Sequence, residues 1–313
     1  MQDNQEQNFD TYYNKKLLPI LRENDKIRQR YLLSFWILAL MAIIFYPLVI
    51  WIILNNYLQE QRNIIGFILG LSCIIIALLY GPIYFYKKKV KPLILPKIAE
   101  FFGQFSYKYE AKIPDTILRS SDLFSSFDES KGDDYFNGKY QDVEICLAEE
   151  KLYKHIYSKK GEEKNIRIFY GICILLEMNK KFQGHIVVKN KQNIVLNFLN
   201  QFGKLKKVYL EDVEFNKIFD VWADNQIESR YLLTTAFMER ILKLKQVYNG
   251  KSIQFSFKDN QLLLAIETKQ NMFEANSFFT SNINQAKIKL VFKQFKTILS
   301  IIEILKLNQR IGM

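Results

Sequence analysis

From Tyr31 to Leu54 the chain reads YLLSFWILALMAIIFYPLVIWIIL, and from Ile64 to Tyr86 it reads IIGFILGLSCIIIALLYGPIYFY; neither stretch holds a charged residue. A bilayer core takes about 20 apolar residues at helical rise. Each stretch therefore predicts a membrane-spanning helix. The connection, NNYLQEQRN, is too short for anything but a turn, so the two predict a helical hairpin. Pro47 falls inside the first span and predicts a kink. The first run follows a polar lead-in and is too long for a leader core, which argues against a cleaved signal peptide. No ionisable side chain lies at bilayer depth, which argues against a proton relay or an ion path.

In the second span Gly66, Gly70, Cys73, Ala77 and Gly81 fall on one helix face. Small residues let helix backbones approach closely in lipid. This stripe predicts a contact with the first span or with a second copy in a homodimer, and the sequence leaves both open.

After Tyr86 the period shortens. Pro92 and Pro96 predict an interruption of the second helix, with a new helix from Leu93 to Gly103. Strands are expected at 105–111, 139–152, 166–178, 185–189, 206–210 and 219–222, and short helices at 114–123 and 212–218. Ser125–Asp134 reads as an acidic loop, and Asn137-Gly138 as the turn of a hairpin. Residues 190–203 fit either period. Phe237, Ile241, Leu244 and Tyr248 share one face of a helix over Thr234–Tyr248. IQFSF alternates, predicting a hairpin across Asp259-Asn260, and 284–309 reads as a long terminal helix with a broad apolar face. That helix is expected to cover a sheet.

The fold class that follows is α+β: an N-terminal transmembrane helical hairpin, then a mostly antiparallel sheet domain with covering helices. The expected organisation is a polar and amphipathic lead-in over 1–30, the hairpin over 31–86 and a cytoplasmic domain over 92–313. The latter allows two lobes, 105–210 and 206–313.

Charge then orients the hairpin. The net charge is +12. Lys15, Lys16, Arg22, Lys26, Arg28 and Arg30 precede the first span, and Lys87, Lys88, Lys89, Lys91 and Lys97 follow the second, whereas the connection holds only Arg62. Lys and Arg stay on the cytoplasmic side, so both termini are expected there. Lys15, Lys16, Arg28, Arg30, Lys87, Lys88 and Lys89 are expected to face the anionic leaflet of a bilayer. This collar accounts for much of the excess charge, so no nucleic-acid partner is inferred. Cys73, Cys146 and Cys173 form no metal or disulfide pattern.

Catalytic signatures are sparse. His155 and His185 stand alone, and no phosphate loop, nucleophile elbow or zinc helix motif occurs. No cofactor or metal is expected. Asp128, Glu129, Asp133 and Asp134 crowd one segment, without the spacing of a calcium loop. Asp224, Glu228 and Arg230 precede the helix at Thr234 and predict an ion pair at its start, or a ligand contact.

Four blocks carry a family resemblance: SSDLF (120–124), GDDYFNGKYQDVEICLAEEKL (132–152), FDVWADNQIESRYLLTTAFMERILKL (219–244) and FSFKDNQLLLAIET (255–268). With the twin-span N-terminus, they resemble the bacterial membrane family catalogued as domain of unknown function 3137. The resemblance implies a bacterial inner-membrane protein. It places Asp134, Gly138, Asp224, Arg230 and Tyr231 at signature positions, and hints at a LemA-type membrane partner. It implies no activity or cofactor.

Two functional readings follow. The first is a membrane-anchored cytoplasmic interaction or scaffold module. The second is an inner-leaflet enzyme or small-ligand sensor whose Asp133, Asp134, Glu228 and Arg230 converge in one cleft. A transporter or channel would need oligomerisation through the Gly66/Gly70 face.

Overall fold

The computed structural model describes residues 8–56, 61–157, 162–191, 205–248, 251–268, 270–275 and 277–309. The chain forms two compact units, 1–101 with 274–290, and 102–273 with 291–313.

The first unit is built on two long helices, α1 (Leu18–Asn56) and α2 (Gln61–Ala99), with a π-helical turn over Tyr13–Leu17 leading into α1. Both helices hold a segment long and apolar enough to cross a membrane. At 1.5 Å per residue each helix is about 58 Å long, so each runs well past its apolar stretch. The expected interruption at Pro92 and Pro96 does not occur; α2 continues through both prolines. An internal proline removes a backbone bond and crowds the preceding turn. Burial of Val90, Ile94, Leu95, Ile98 and Ala99 on the same helix offsets that cost. Phe9, Tyr13, Leu17 and Leu21 are buried in the same unit, which gives the helix ends a small core of their own.

Within the apolar stretches the helices meet through half-buried positions on α2, namely Ile68, Leu71, Ser72, Ile75 and Leu79. The Tyr46 and Ser72 hydroxyls lie 2.7 Å apart. The small-residue stripe is not at this contact. A Cβ added at Gly66, Gly70 or Gly81 meets nothing within 4 Å, and Cys73 and Ala77 are exposed. The expected Gly-mediated contact with the first span is thus replaced by a Tyr–Ser hydrogen bond and branched side chains. The stripe lies on another face.

Among the described residues the second unit is one open antiparallel sheet of nine strands, in the order β1-β2-β3-β4-β9-β8-β5-β7-β6. The strands are β1 (Phe105–Lys108), β2 (Glu129–Tyr140), β3 (Val143–Tyr157), β4 (Glu163–Glu177), β5 (Ile186–Asn190), β6 (Lys206–Val208), β7 (Phe219–Ala223), β8 (Ile253–Lys258) and β9 (Gln261–Glu267). Helix α3 (Asp115–Ser120) and the segment through Phe127 pack on one face, over Ala148, Leu152, Cys173, Val187, Trp222 and Leu263. Helices α4 (Val213–Ile218), α5 (Gln226–Leu232), α6 (Thr235–Val247) and α7 (Gln285–Leu305) complete the fold. Asp212, Asn225 and Thr234 cap the N-termini of α4, α5 and α6 through their side-chain oxygens. The apolar face of α6 and the 291–305 part of α7 are buried.

The acidic segment 125–134 is not all loop, because β2 begins at Glu129. The β2–β3 turn lies at Gln141-Asp142, not at Asn137-Gly138; both turn residues have positive φ (47° and 64°), as a two-residue hairpin demands. Asn137 and Gly138 instead pair with β1. The β8–β9 turn falls at Asp259-Asn260 as expected, again with both φ positive. The unassigned period of residues 190–203 lies almost wholly outside the described residues, as do residues 1–7.

Candidate functional site

Each residue singled out in the sheet unit has a local task. Asp134 interrupts the β2–β3 register at a bulge, with φ of 50° and no exposure. Its Oδ1 accepts a hydrogen bond from the Tyr107 hydroxyl at 2.6 Å, and Asp133 Oδ1 accepts from the Asp134 N–H at 2.9 Å. Burial, then the Asp134 charge, holds the Tyr107 phenol protonated far above its ordinary range. Gly138 admits the neighbouring strand: a Cβ there would lie 2.4 Å from the Gln104 carbonyl oxygen.

Asp224, Glu228 and Arg230 belong to another part of the sheet. Asp224 Oδ1 accepts from the His185 N–H (2.9 Å), and Glu228 Oε1 accepts from the Gln183 N–H (2.6 Å). The two carboxylates clamp the turn ahead of β5. A Cβ on Gly184 would approach them to 3.1 Å and 2.8 Å, so a side chain there would have to displace the carboxylates. Arg230 Nη2 donates to the Tyr209 carbonyl at 3.5 Å. Lys180 Nζ sits 3.3 Å from the Tyr231 ring centre and donates to the Tyr231 carbonyl at 2.7 Å. These groups and the Asp133–Asp134 bulge do not form one cleft. β2 and β7 are six strand steps apart, roughly 29 Å at strand spacing.

Two features escaped the sequence reading. Beside α3 a cleft of about 60 Å³ is lined by Ser120, Ser121, Ser256, Lys258, Asp259 and Gln261. His185 lies next to it. Its Nε2 is 3.2 Å from both the Ser121 carbonyl oxygen and Ser256 Oγ, and its Nδ1 is 3.7 Å from the Asp122 carboxylate. Burial lowers the His185 pKa, which favours the neutral ring. The other feature is the far end of the β3–β4 ribbon. Residues 154–157 and 163–166 have only each other as ladder partners among the described residues. Ile156, Tyr157 and Ile166 are 42%, 69% and 40% exposed there.

In the first unit the basic collar has a buried counterpart. Arg28, expected to face lipid, is buried: its Nε donates to Asp25 Oδ1 at 2.8 Å and its Nη1 to the Phe278 carbonyl at 3.3 Å. Asp25 Oδ1 also accepts from the Ser281 hydroxyl (3.1 Å) and the Asn282 N–H (3.0 Å). Burial alone would push the Asp25 pKa up; the bonds from Arg28, Asn282 and Ser281 outweigh it and hold the carboxyl below its usual range. The Asn282 side-chain amide donates to the Tyr86 hydroxyl, which donates to the Ser277 carbonyl at 3.4 Å. Glu274 pairs with Lys87 (3.6 Å) and Lys91 (3.4 Å). Only the Asp25–Arg28 spacing was visible in the sequence. Lys15, Lys16, Arg30, Lys88 and Lys89 are exposed, and Lys87 is half-buried.

Residues 167–307 match the family described as protein of unknown function (DUF3137), so the resemblance read from the sequence holds over that segment. No curated protein matches the chain. A crystal structure of the mycobacterial trehalose monomycolate transport factor A, TtfA, is similar at a TM-score of 0.37 with 9% sequence identity, over 68% of this chain and 95% of that one.

Proposed function

We propose that this chain, which carries the DUF3137 domain over residues 167–307, is a membrane-anchored cytoplasmic interaction module. Its two apolar helices cross the bacterial inner membrane as a hairpin with both termini in the cytoplasm, a reading that the Lys/Arg bias supports. The exposed Lys15, Lys16, Arg30, Lys88 and Lys89 meet the anionic leaflet. The chain passes between the anchor and the sheet unit at 101/102, 273/274 and 290/291.

The observation that carries the reading is the β3–β4 ribbon. A two-stranded ribbon is marginal by itself, yet this one displays Ile156, Tyr157 and Ile166 to solvent. Exposed aromatic and branched side chains on a projecting ribbon suit a protein partner. The sheet edges suit one less well: β1 and β6 are short, and β6 carries Lys206 and Lys207. A LemA-type membrane protein is one partner consistent with the resemblance, and a second copy of the chain is another.

A photoreactive amino acid at Tyr157 of the full-length protein, activated in cells, tests this. The expected product is one discrete adduct with a membrane protein. It disappears with Ile156→Ser and Ile166→Ser and persists with Asp133→Asn and Arg230→Ala. Adducts with lipid alone would end the reading.

A second reading, a small-ligand sensor or enzyme at the inner leaflet, draws support from the Ser256–His185–Asp122 arrangement beside its cleft. Retention of the Tyr157 adduct with its partner in a His185→Gln variant favours the first reading; its loss favours the second.

A further inference from the structure

The segment 274–290 returns to the helices of the first unit after the entire sheet has been traversed in sequence. Its position along those helices is fixed by aromatic contacts. The Phe278 ring lies 5.8 Å from Phe35 and 5.5 Å from Tyr86, and the Phe279 ring lies 5.5 Å from Phe35. Phe35 is four residues inside the first apolar run, about 6 Å along the helix. Tyr86 is the last residue of the second run. Two helices therefore place Phe278 and Phe279 at one level, where charged chain gives way to apolar chain. Trp36 packs edge-on against Phe35 at the same level and is 58% exposed.

The two phenylalanines differ in direction. Phe278 is buried, whereas Phe279 is 56% exposed. The loop is held in place from behind: Asp25 accepts from Ser281 and Asn282, Arg28 binds the Phe278 carbonyl, and Tyr86 binds the Ser277 carbonyl. These hydrogen bonds hold the backbone that carries the ring.

We propose that Phe279 is a third membrane contact, inserted at the boundary between headgroups and acyl chains. The inference rests on the two-span reading above. An apolar ring exposed at that level leaves water by entering the headgroup/acyl boundary, as Trp, Phe and Leu do on interfacial apolar faces. The partner is the lipid bilayer itself, since the level of the ring is set by the spans and not by the sheet. The contact ties the segment leading into α7 to the membrane surface.

Site-directed spin labelling of the full-length protein in phospholipid nanodiscs tests this. Phe279→Cys is made in a Cys73→Ala, Cys146→Ala background, Cys173 being buried, with Ile43→Cys as the mid-span control and Ile227→Cys as the aqueous control; both control positions are exposed. Collision with a water-soluble nickel chelate is compared with collision with oxygen. The expected result is nickel access at 279 several-fold below that at 227, with an oxygen preference approaching that at 43. A label at Thr280, also exposed, gives the same answer if Phe279→Cys disturbs the loop. Nickel access at 279 and 280 equal to that at 227, with Ile43 protected, would overturn the inference and leave the spans intact. Nickel access at Ile43 itself would overturn both.

Discussion

The Asp25 carboxylate accepts a hydrogen bond from the backbone N–H of Asn282 at 3.0 Å, 257 residues away along the chain. Asp25 lies just ahead of the first apolar run, and Asn282 lies between the sheet and the terminal helix. One short side chain thus fixes where the late segment meets the anchor.

Asp25→Asn keeps the shape and removes the charge, leaving buried Arg28 without its anion. Removing one partner of a buried ion pair costs about 3–5 kcal/mol. A lowered unfolding midpoint in nanodiscs, with new proteolysis within 274–290, is the expected result. The depressed Asp25 pKa contributes stability above the carboxylate's unfolded value, lost as pH falls through the folded one. The variant should therefore lose less stability than the parent on acidification.

Glu149 and Glu150 behave oppositely. Burial pushes Glu149 up to about 7 and Glu150 up to about 8, despite N–H bonds from Met272 and Ile113. A raised carboxyl pKa gives stability that is full below the unfolded value, 4.5, and is lost as pH rises through the folded one. Glu150→Gln should flatten the unfolding midpoint between pH 5 and pH 8.5. Each pKa unit corresponds to about 1.4 kcal/mol, so the gain at alkaline pH is on the order of a few kcal/mol. An unchanged pH profile would contradict the assignment.

The clamp on the turn ahead of β5 predicts a stability effect without a binding effect. Glu228→Ala removes the acceptor of the exposed Gln183 N–H, which water can replace, and should cost about 0.5–1 kcal/mol. Gly184→Ala brings a methyl to 2.8 Å from Glu228 Oε2, so the Glu228 side chain must shift and the cost should be no larger than that of Glu228→Ala. Denaturant unfolding measures both, and Tyr157 cross-linking should keep its product in each variant.

Gly66→Ile and Gly70→Ile should leave the hairpin packed, since each added side chain meets open space. Tyr46→Phe should weaken the hairpin by about 0.6 kcal/mol, the average for hydrogen bonds between membrane helices. Steric-trap unfolding measures the hairpin, and native mass determination reads the oligomer. A smaller oligomer in the glycine variants would assign the stripe to a homodimer face.

Much of this fold was legible because its signals are local. The apolar runs, the Asp259-Asn260 turn and the face of α6 each lie within one window of sequence. The Asn137-Gly138 turn signal failed because β1 pairs with those residues, a contact 31 or more residues distant that spends the glycine on close approach. The helix break at Pro92 and Pro96 failed because tertiary burial outweighed the lost backbone bonds. The carboxylates were visible as a cluster of residue types, but not their distribution over a nine-stranded sheet. The Asp25 network was hidden because half of it comes from residues about 250 positions later.

A membrane-anchored cytoplasmic module requires both helices to cross the bilayer with both ends inside. Cysteines at Asn55 and at Lys16, both exposed, are placed singly in a Cys73→Ala, Cys146→Ala protein, in which Cys173 is buried, and treated with a membrane-impermeant maleimide in intact spheroplasts. The account predicts that the cysteine at 55 is labelled at once and the one at 16 only after lysis. Labelling of the cysteine at 16 in intact spheroplasts would contradict it.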